Sequence, residues 1–161
     1  MASRDLSNYT SHEVPSGKSF RIAVIHATWN APITDALLDA CVKTLTLHEV
    51  PEEQINVIHV PGSFELPSAS QMLLESSEWD AVICLGCVIT GETPHDIYIS
   101  QAVAQGLTQV SIDYSTPVIF GVLTTRNEAQ AKARAGGDKG NKGTEAAVTA
   151  LHMAALRRKM I

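Results

Sequence analysis

The segment CLGCVITGETPHDIYIS, residues 84–100, joins an apolar run to a polar turn and then to a helix-like pattern that opens with a histidine. The apolar part begins upstream as AVICLGCVI, residues 81–89. A continuous apolar run bounded by turn signals is the pattern of a strand covered on both faces, as in a parallel sheet. Thr93 and Pro94 then read as an N-cap followed by proline at the first helical position, which puts His95 in the first turn of a helix. In open α/β sheets, ligands bind at the carboxyl ends of strands beside helix N-termini, where free backbone N–H groups favour negative charge. This junction is therefore the candidate active site.

Working outward, the pattern alternates between strands and helices. FRIAVIHA (20–27) reads as the first strand, with Trp29 and Asn30 just past its end and Asn30 as candidate N-cap of a helix carrying Ile33, Leu37, Leu38, Cys41, Val42 and Leu45 inward, which Pro51 breaks. INVIHV (55–60) is the second strand. A second helix starts near Phe64, with Pro67 in its first turn and Leu66, Ala69, Met72, Leu73 and Leu74 inward. After the strand at 79–89, a helix from about Pro94 carries Ile97, Tyr98, Ala102, Val103 and Leu107, and PVIFGVLT (117–124) is the fourth strand. Helical patterns near 127–135 and 142–158 follow, separated by GGDKGNKG. Strict alternation predicts an α/β three-layer sandwich with a four-stranded parallel sheet and right-handed crossovers.

Composition narrows the function. The chain has 161 residues, 45% hydrophobic, enough for one domain with a real core at 20–161, preceded by a polar arm at 1–19 that reads as loose unless a partner organises it. A formal charge of −5 argues against a nucleic-acid surface. Arg157, Arg158 and Lys159 read as favourable charge at a helix C-terminus. No apolar run is long enough to span a bilayer and the N-terminus has no signal-like core, so a cytoplasmic, non-membrane protein is expected. The three cysteines do not suggest a disulfide scaffold, and Cys84 and Cys87, three apart in a strand, point to opposite faces, against a metal site. There is no GxGxxG and no P-loop. The topology leaves a flavodoxin-like FMN module as an alternative, but that needs a Ser/Thr/Gly-rich phosphate loop after the first strand, where HATWNAP stands instead.

Five ordered stretches carry a resemblance: PGSFELP at 61–67, GCVITGETPH at 86–95, PVIFGVLTT at 117–125, QAKARAGG at 130–137 and GNKGTEAAV at 140–148. Together they resemble the lumazine synthases of riboflavin biosynthesis, from about Phe20 to Met160. The chain departs from the family at Thr90, where Arg or Lys is usual, and at Asp96 and Ile97, where an aromatic and then an acidic residue are common.

The resemblance implies a flavodoxin-like topology and a transferase that condenses 5-amino-6-(D-ribitylamino)uracil with 3,4-dihydroxy-2-butanone 4-phosphate, without metal or organic cofactor, and supplies a downstream riboflavin synthase. It assigns Trp29 to stacking on the heterocycle with Asn30 beside it, and Ser63, Phe64 and Glu65 to the ribityl chain. Val88 and Ile89 would read the pyrimidine edge through their backbone. Gly91, Glu92 and Thr93 would hold phosphate, with Arg134 as its clamp and Lys142 nearby. His95 is the proton-transfer candidate, since imidazole takes both protonation states near neutrality. Phe120 would be laid against the heterocycle by a neighbouring subunit in a homopentamer, itself expected to build a 60-subunit shell because GGDKGNKG carries no insertion, with the arm added as a strand to the adjacent subunit. A catalytically weak lumazine- or flavin-binding shell protein is the other reading that the departures permit.

Overall fold

The computed structural model describes residues 7–161. Its elements in chain order are β1 (Ile22–Ala27), α1 (Ala31–Leu47), β2 (Ile55–Val60), α2 (Leu66–Ser76), β3 (Ala81–Ile89), α3 (His95–Asp113), β4 (Val118–Thr125), α4 (Glu128–Ala133), β5 (Ala135–Gly137), β6 (Gly140–Asn141) and α5 (Lys142–Met160). The main sheet has four parallel strands in the order β2-β1-β3-β4. Strands β1 and β3 are the two central strands. All of β1 is buried, as are the first seven residues of β3, because helices cover both faces there.

Side-chain alternation divides the core into two layers. Ile22, Val24, Ile83, Leu85, Cys87 and Leu123 face α1 and α5, while Ala23, Ile25, Val82, Cys84 and Val122 face α2 and α3. Cys84 and Cys87 thus lie on opposite faces, as their spacing requires, and all three cysteines are free and buried. The buried face of α5 is mostly alanine, which lets it approach α1 closely; a Cβ at Gly143 would collide with the Leu37 carbonyl. The result is a three-layer α/β sandwich of flavodoxin-like strand order.

Several local expectations are corrected. Pro94 occupies the N-cap position of α3 and the helix begins at His95, so Thr93 is not its cap. Asn30 occupies the N-cap position of α1 as expected, but at φ 60°, ψ 42° its side chain makes no capping hydrogen bond. Helix α1 ends at Leu47, before Pro51, as the chain turns through Glu49 at φ 70°. Met72, Ile97, Tyr98 and Ala102, assigned inward by periodicity, are exposed. Arg158 does more than complement a helix end: it donates to both Asp80 oxygens, at 2.8 and 2.9 Å, and stacks over Phe20. The Gly-rich linker is a small hairpin of β5 and β6, with Gly136 and Gly140 at positive φ.

Of the arm, residues 1–6 lie outside the described residues, and the rest rests on its own chain. The Ser7 hydroxyl donates to the Asn141 carbonyl (3.1 Å), Tyr9 Oη lies 2.9 Å from His48 Nε2, and the Gly17 N–H donates to the His48 carbonyl at 2.7 Å. Polar composition alone did not reveal these anchors, because two of the three use main-chain groups of the body.

Candidate active site

The carboxyl end of β3 extends beyond its neighbour. Its ladder to β1 stops at the His26–Leu85 pair, whereas its ladder to β4 continues to Ile89–Thr125. From Gly86 to Ile89 the sheet therefore offers no neighbouring strand on the β1 side, and the segments that leave β1 and β2 curl around the gap. The Thr28 and Trp29 N–H groups donate to the carbonyls of Val60 and Pro61, both at 2.9 Å. Asn30 closes one side by donating from Nδ2 to the Cys87 carbonyl at 3.0 Å. Its left-handed backbone turns the side chain toward the sheet, a conformation in which asparagine is among the few tolerated residues.

Around this gap lies a pocket of about 290 Å³. Trp29 and Asn30 form one wall, Ser63 and Phe64 another, Val88 and Ile89 the floor, and Thr93 and His95 the rim. Trp29 is 67% exposed and Phe64 56%, so two large rings stand open at the mouth where a planar ligand would cover them. The Trp29 ring lies directly on Gly62: a Cβ there would be 2.6 Å from Cε3. Ser63 is buried against Gly86, where any side chain would strike its hydroxyl. Glu65 reaches back so that Oε2 accepts from the Gly62 N–H at 2.9 Å, and it lines an adjoining depression with Phe64. Burial pushes the Cys87 thiol up to about 11, so it stays protonated at neutral pH and offers no thiolate to the pocket.

The loop between β3 and α3 carries the remaining polar groups. Thr90 is fixed to β4 by its N–H, which donates to the Thr125 carbonyl at 2.9 Å, and its hydroxyl donates to Asp96 Oδ2 at 3.0 Å. Gly91 faces open space. Glu92 is exposed and does not line the pocket, while Thr93 and His95 do.

Phe120, Arg134 and Lys142 stand apart from this group. Phe120 pairs with Cys84, five residues before Ile89, which at about 3.3 Å per residue sets it roughly 16 Å back along the sheet. It is 41% exposed and lines a separate depression with Lys142 and Glu145. Lys142 Nζ lies 2.6 Å from Glu145 Oε2, and the Lys142 N–H donates to the Arg134 carbonyl at 2.9 Å. Arg134 donates from Nη1 to the Gln130 carbonyl at 3.1 Å. Phe120 and Lys142 thus line a depression separate from the pocket, and Arg134 lines neither.

Residues 19–158 match the family profile of 6,7-dimethyl-8-ribityllumazine synthase. Relatives bearing that description include a protein of Porphyromonas gingivalis, 54% identical over 98% of both chains. Another, from Cytophaga hutchinsonii, is 49% identical over 96% of both, and one from Parabacteroides distasonis is 47% identical over 94% of this chain and 95% of its own. This chain belongs to the lumazine synthase family.

For a lumazine synthase chain, the pocket contains three lining residues beyond the expected set: Cys87, Asp96 and Ile99. Ile99 sits one helical turn after His95, a spacing that the sequence displays once the helix start is known. Cys87 was hidden because its contribution is a carbonyl, and Glu145 because its significance is the ion pair with Lys142. Among the described residues no helix is long and apolar enough to cross a membrane.

Proposed function

We propose that the chain condenses 5-amino-6-(D-ribitylamino)uracil with 3,4-dihydroxy-2-butanone 4-phosphate to give 6,7-dimethyl-8-ribityllumazine, phosphate and water. The observation that carries this reading is the overhang of β3: an open strand edge beside an exposed indole suits a flat heterocycle with hydrogen-bonding groups on its rim. Trp29 stacks on the pyrimidine, Val88 and Ile89 read its edge through main-chain groups, and Asn30 braces the floor. Ser63, Phe64 and Glu65 receive the ribityl chain, Glu65 with the oxygen not committed to Gly62.

The phosphate of the second substrate lies against the main-chain N–H groups and hydroxyl of the Gly91–Thr93 turn, where an anion at the start of α3 is favoured. Glu92 contributes its backbone while its carboxylate stays in solvent. The reaction proceeds through an imine, loss of phosphate and ring closure with loss of water. His95, on the rim beside that turn, exchanges the protons that these steps require.

Family membership supports self-association, and the separation of Phe120 and Lys142 from the pocket suits a site shared between chains. We infer that subunits form a ring of five in which Phe120, Arg134 and Lys142 of one chain complete the pocket of the next, Phe120 against the heterocycle and Arg134 clamping phosphate with its planar fork. The exposed apolar residues beside the pocket, Ile97 (52%) and Tyr98 (66%), are the surface such a neighbour would cover. Twelve such rings would close into a hollow shell of sixty subunits. The product would feed a riboflavin synthase, in the cytoplasm.

Incubating the protein with both substrates and following lumazine fluorescence and phosphate release tests the activity. Binding of the product without its formation would instead establish a binding or shell protein, and a bound flavin spectrum would establish an FMN module. Light scattering distinguishes pentamer from shell.

A further inference from the structure

We propose that Thr90 and Asp96 form a clasp that positions the phosphate-facing loop and His95; this rests on the lumazine synthase reading of the site. The two side chains bracket Gly91–His95, and the Thr90 hydroxyl donates to Asp96 Oδ2 at 3.0 Å. Both ends of the clasp are anchored. Thr90 is tied to β4 through Thr125, and Asp96 stands in the first turn of α3, where the Ile97 N–H donates to the Pro94 carbonyl at 3.1 Å. Between them the loop has little else to hold it: a side chain at Gly91 would meet nothing within 4 Å, and no side chain caps α3. A short loop with free backbone N–H groups and a glycine has many accessible conformations, so one charge-assisted bond across its base removes a large share of them. The residues that the clasp spans, Thr93 and His95, are those on the pocket rim.

Asp96 has a competing role, as a negative charge beside the imidazole of its neighbour, and the chemistry separates the two. An amide at position 96 still accepts from the Thr90 hydroxyl but carries no charge. Thr90→Val removes the donor at nearly constant shape, and Thr90→Ser restores it.

The experiment measures kcat, both KM values and the pH–rate profile for Thr90→Val, Thr90→Ser, Asp96→Ala, Asp96→Asn and the Val/Ala double variant, with amide exchange of residues 91–93 and 95 in each. The clasp predicts a loss of about 2- to 10-fold in kcat/KM for the phosphorylated substrate in Thr90→Val and Asp96→Ala, the range one such hydrogen bond supports. The KM for the pyrimidine should be unchanged, the double variant should lose no more than either single one, and loop exchange should quicken. Thr90→Ser and Asp96→Asn should stay near wild type with an unmoved pH profile. Equal kinetics and equal exchange in Thr90→Val would overturn the proposal, as would an Asp96→Asn profile displaced along the pH axis with Thr90→Val normal. Wild-type protein that forms no lumazine would defeat the activity reading instead, and the exchange data would then judge the clasp alone.

Discussion

Replacing Gly62 with alanine tests how the pocket holds its heterocycle. Gly62 has φ −132° and ψ 179°, extended backbone that alanine adopts without strain, so the substitution acts only through the new methyl group. That carbon would lie 2.6 and 2.8 Å from two atoms of the Trp29 ring. Ordinary carbon contacts begin near 3.5 Å, so the indole must retreat by roughly 0.9 Å. At 67% exposure it has room to swing outward, and the fold should not suffer. Fewer unfolded conformations would even favour the alanine variant by about 0.4–1 kcal/mol. What is lost is the stacking surface, worth about 0.5–1.5 kcal/mol, or roughly a 2- to 12-fold rise in the KM for the pyrimidine. Steady-state rates of lumazine fluorescence, varied in each substrate, should show that rise with the KM for the phosphorylated substrate unaltered and the Tm equal or higher. Trp29→Ala should cost a similar amount, and adding Gly62→Ala to it should cost nothing further. A pyrimidine KM within twofold of wild type would refute the assignment of Trp29 to the heterocycle.

Co-assembly of His95→Ala with Arg134→Ala subunits should restore activity to roughly a quarter of wild type per site, because random mixing gives that share of boundaries with both intact halves; two inactive variants that stay inactive when mixed would argue for a site within one chain. Burial lowers the pKa of His26, with Asp35 opposing and the facing His59 reinforcing the shift, and burial likewise lowers that of His48. The unfolded chain therefore binds protons that the folded one refuses, so stability is complete above about pH 6.5 and falls as pH drops below it. Melting temperatures at pH 7.5 and 5.5 should differ in that sense, and a flat profile would count against it. Turnover should survive exhaustive EDTA treatment, since no three His, Cys, Asp or Glu among the described residues are grouped to hold a metal; activity lost and then restored by one specific metal would contradict this.

The local pattern carried much of this molecule. The apolar run AVICLGCVI announced a strand covered on both faces, because such a strand has no polar side to show. The turn TGETPH marked the pocket's rim, where a strand end meets a helix start. Periodicity named the helices, but it reports which residues share a face and not which face is covered. Ile97, Tyr98 and Ala102 lie on the outward side of α3, while Val103, Leu107 and Val110 are buried. Asn30 looked like a cap from its place before a helix, and only the approach of β3 supplied the carbonyl that its amide binds instead. The resemblance already gave Phe120 to a neighbouring subunit, but that Arg134 and Lys142 also stand away from the pocket was beyond the sequence. Strand register sets how far Phe120 lies from the pocket, because it pairs with Cys84 and not with the overhanging end of β3, and that register comes from contacts between segments remote in the chain.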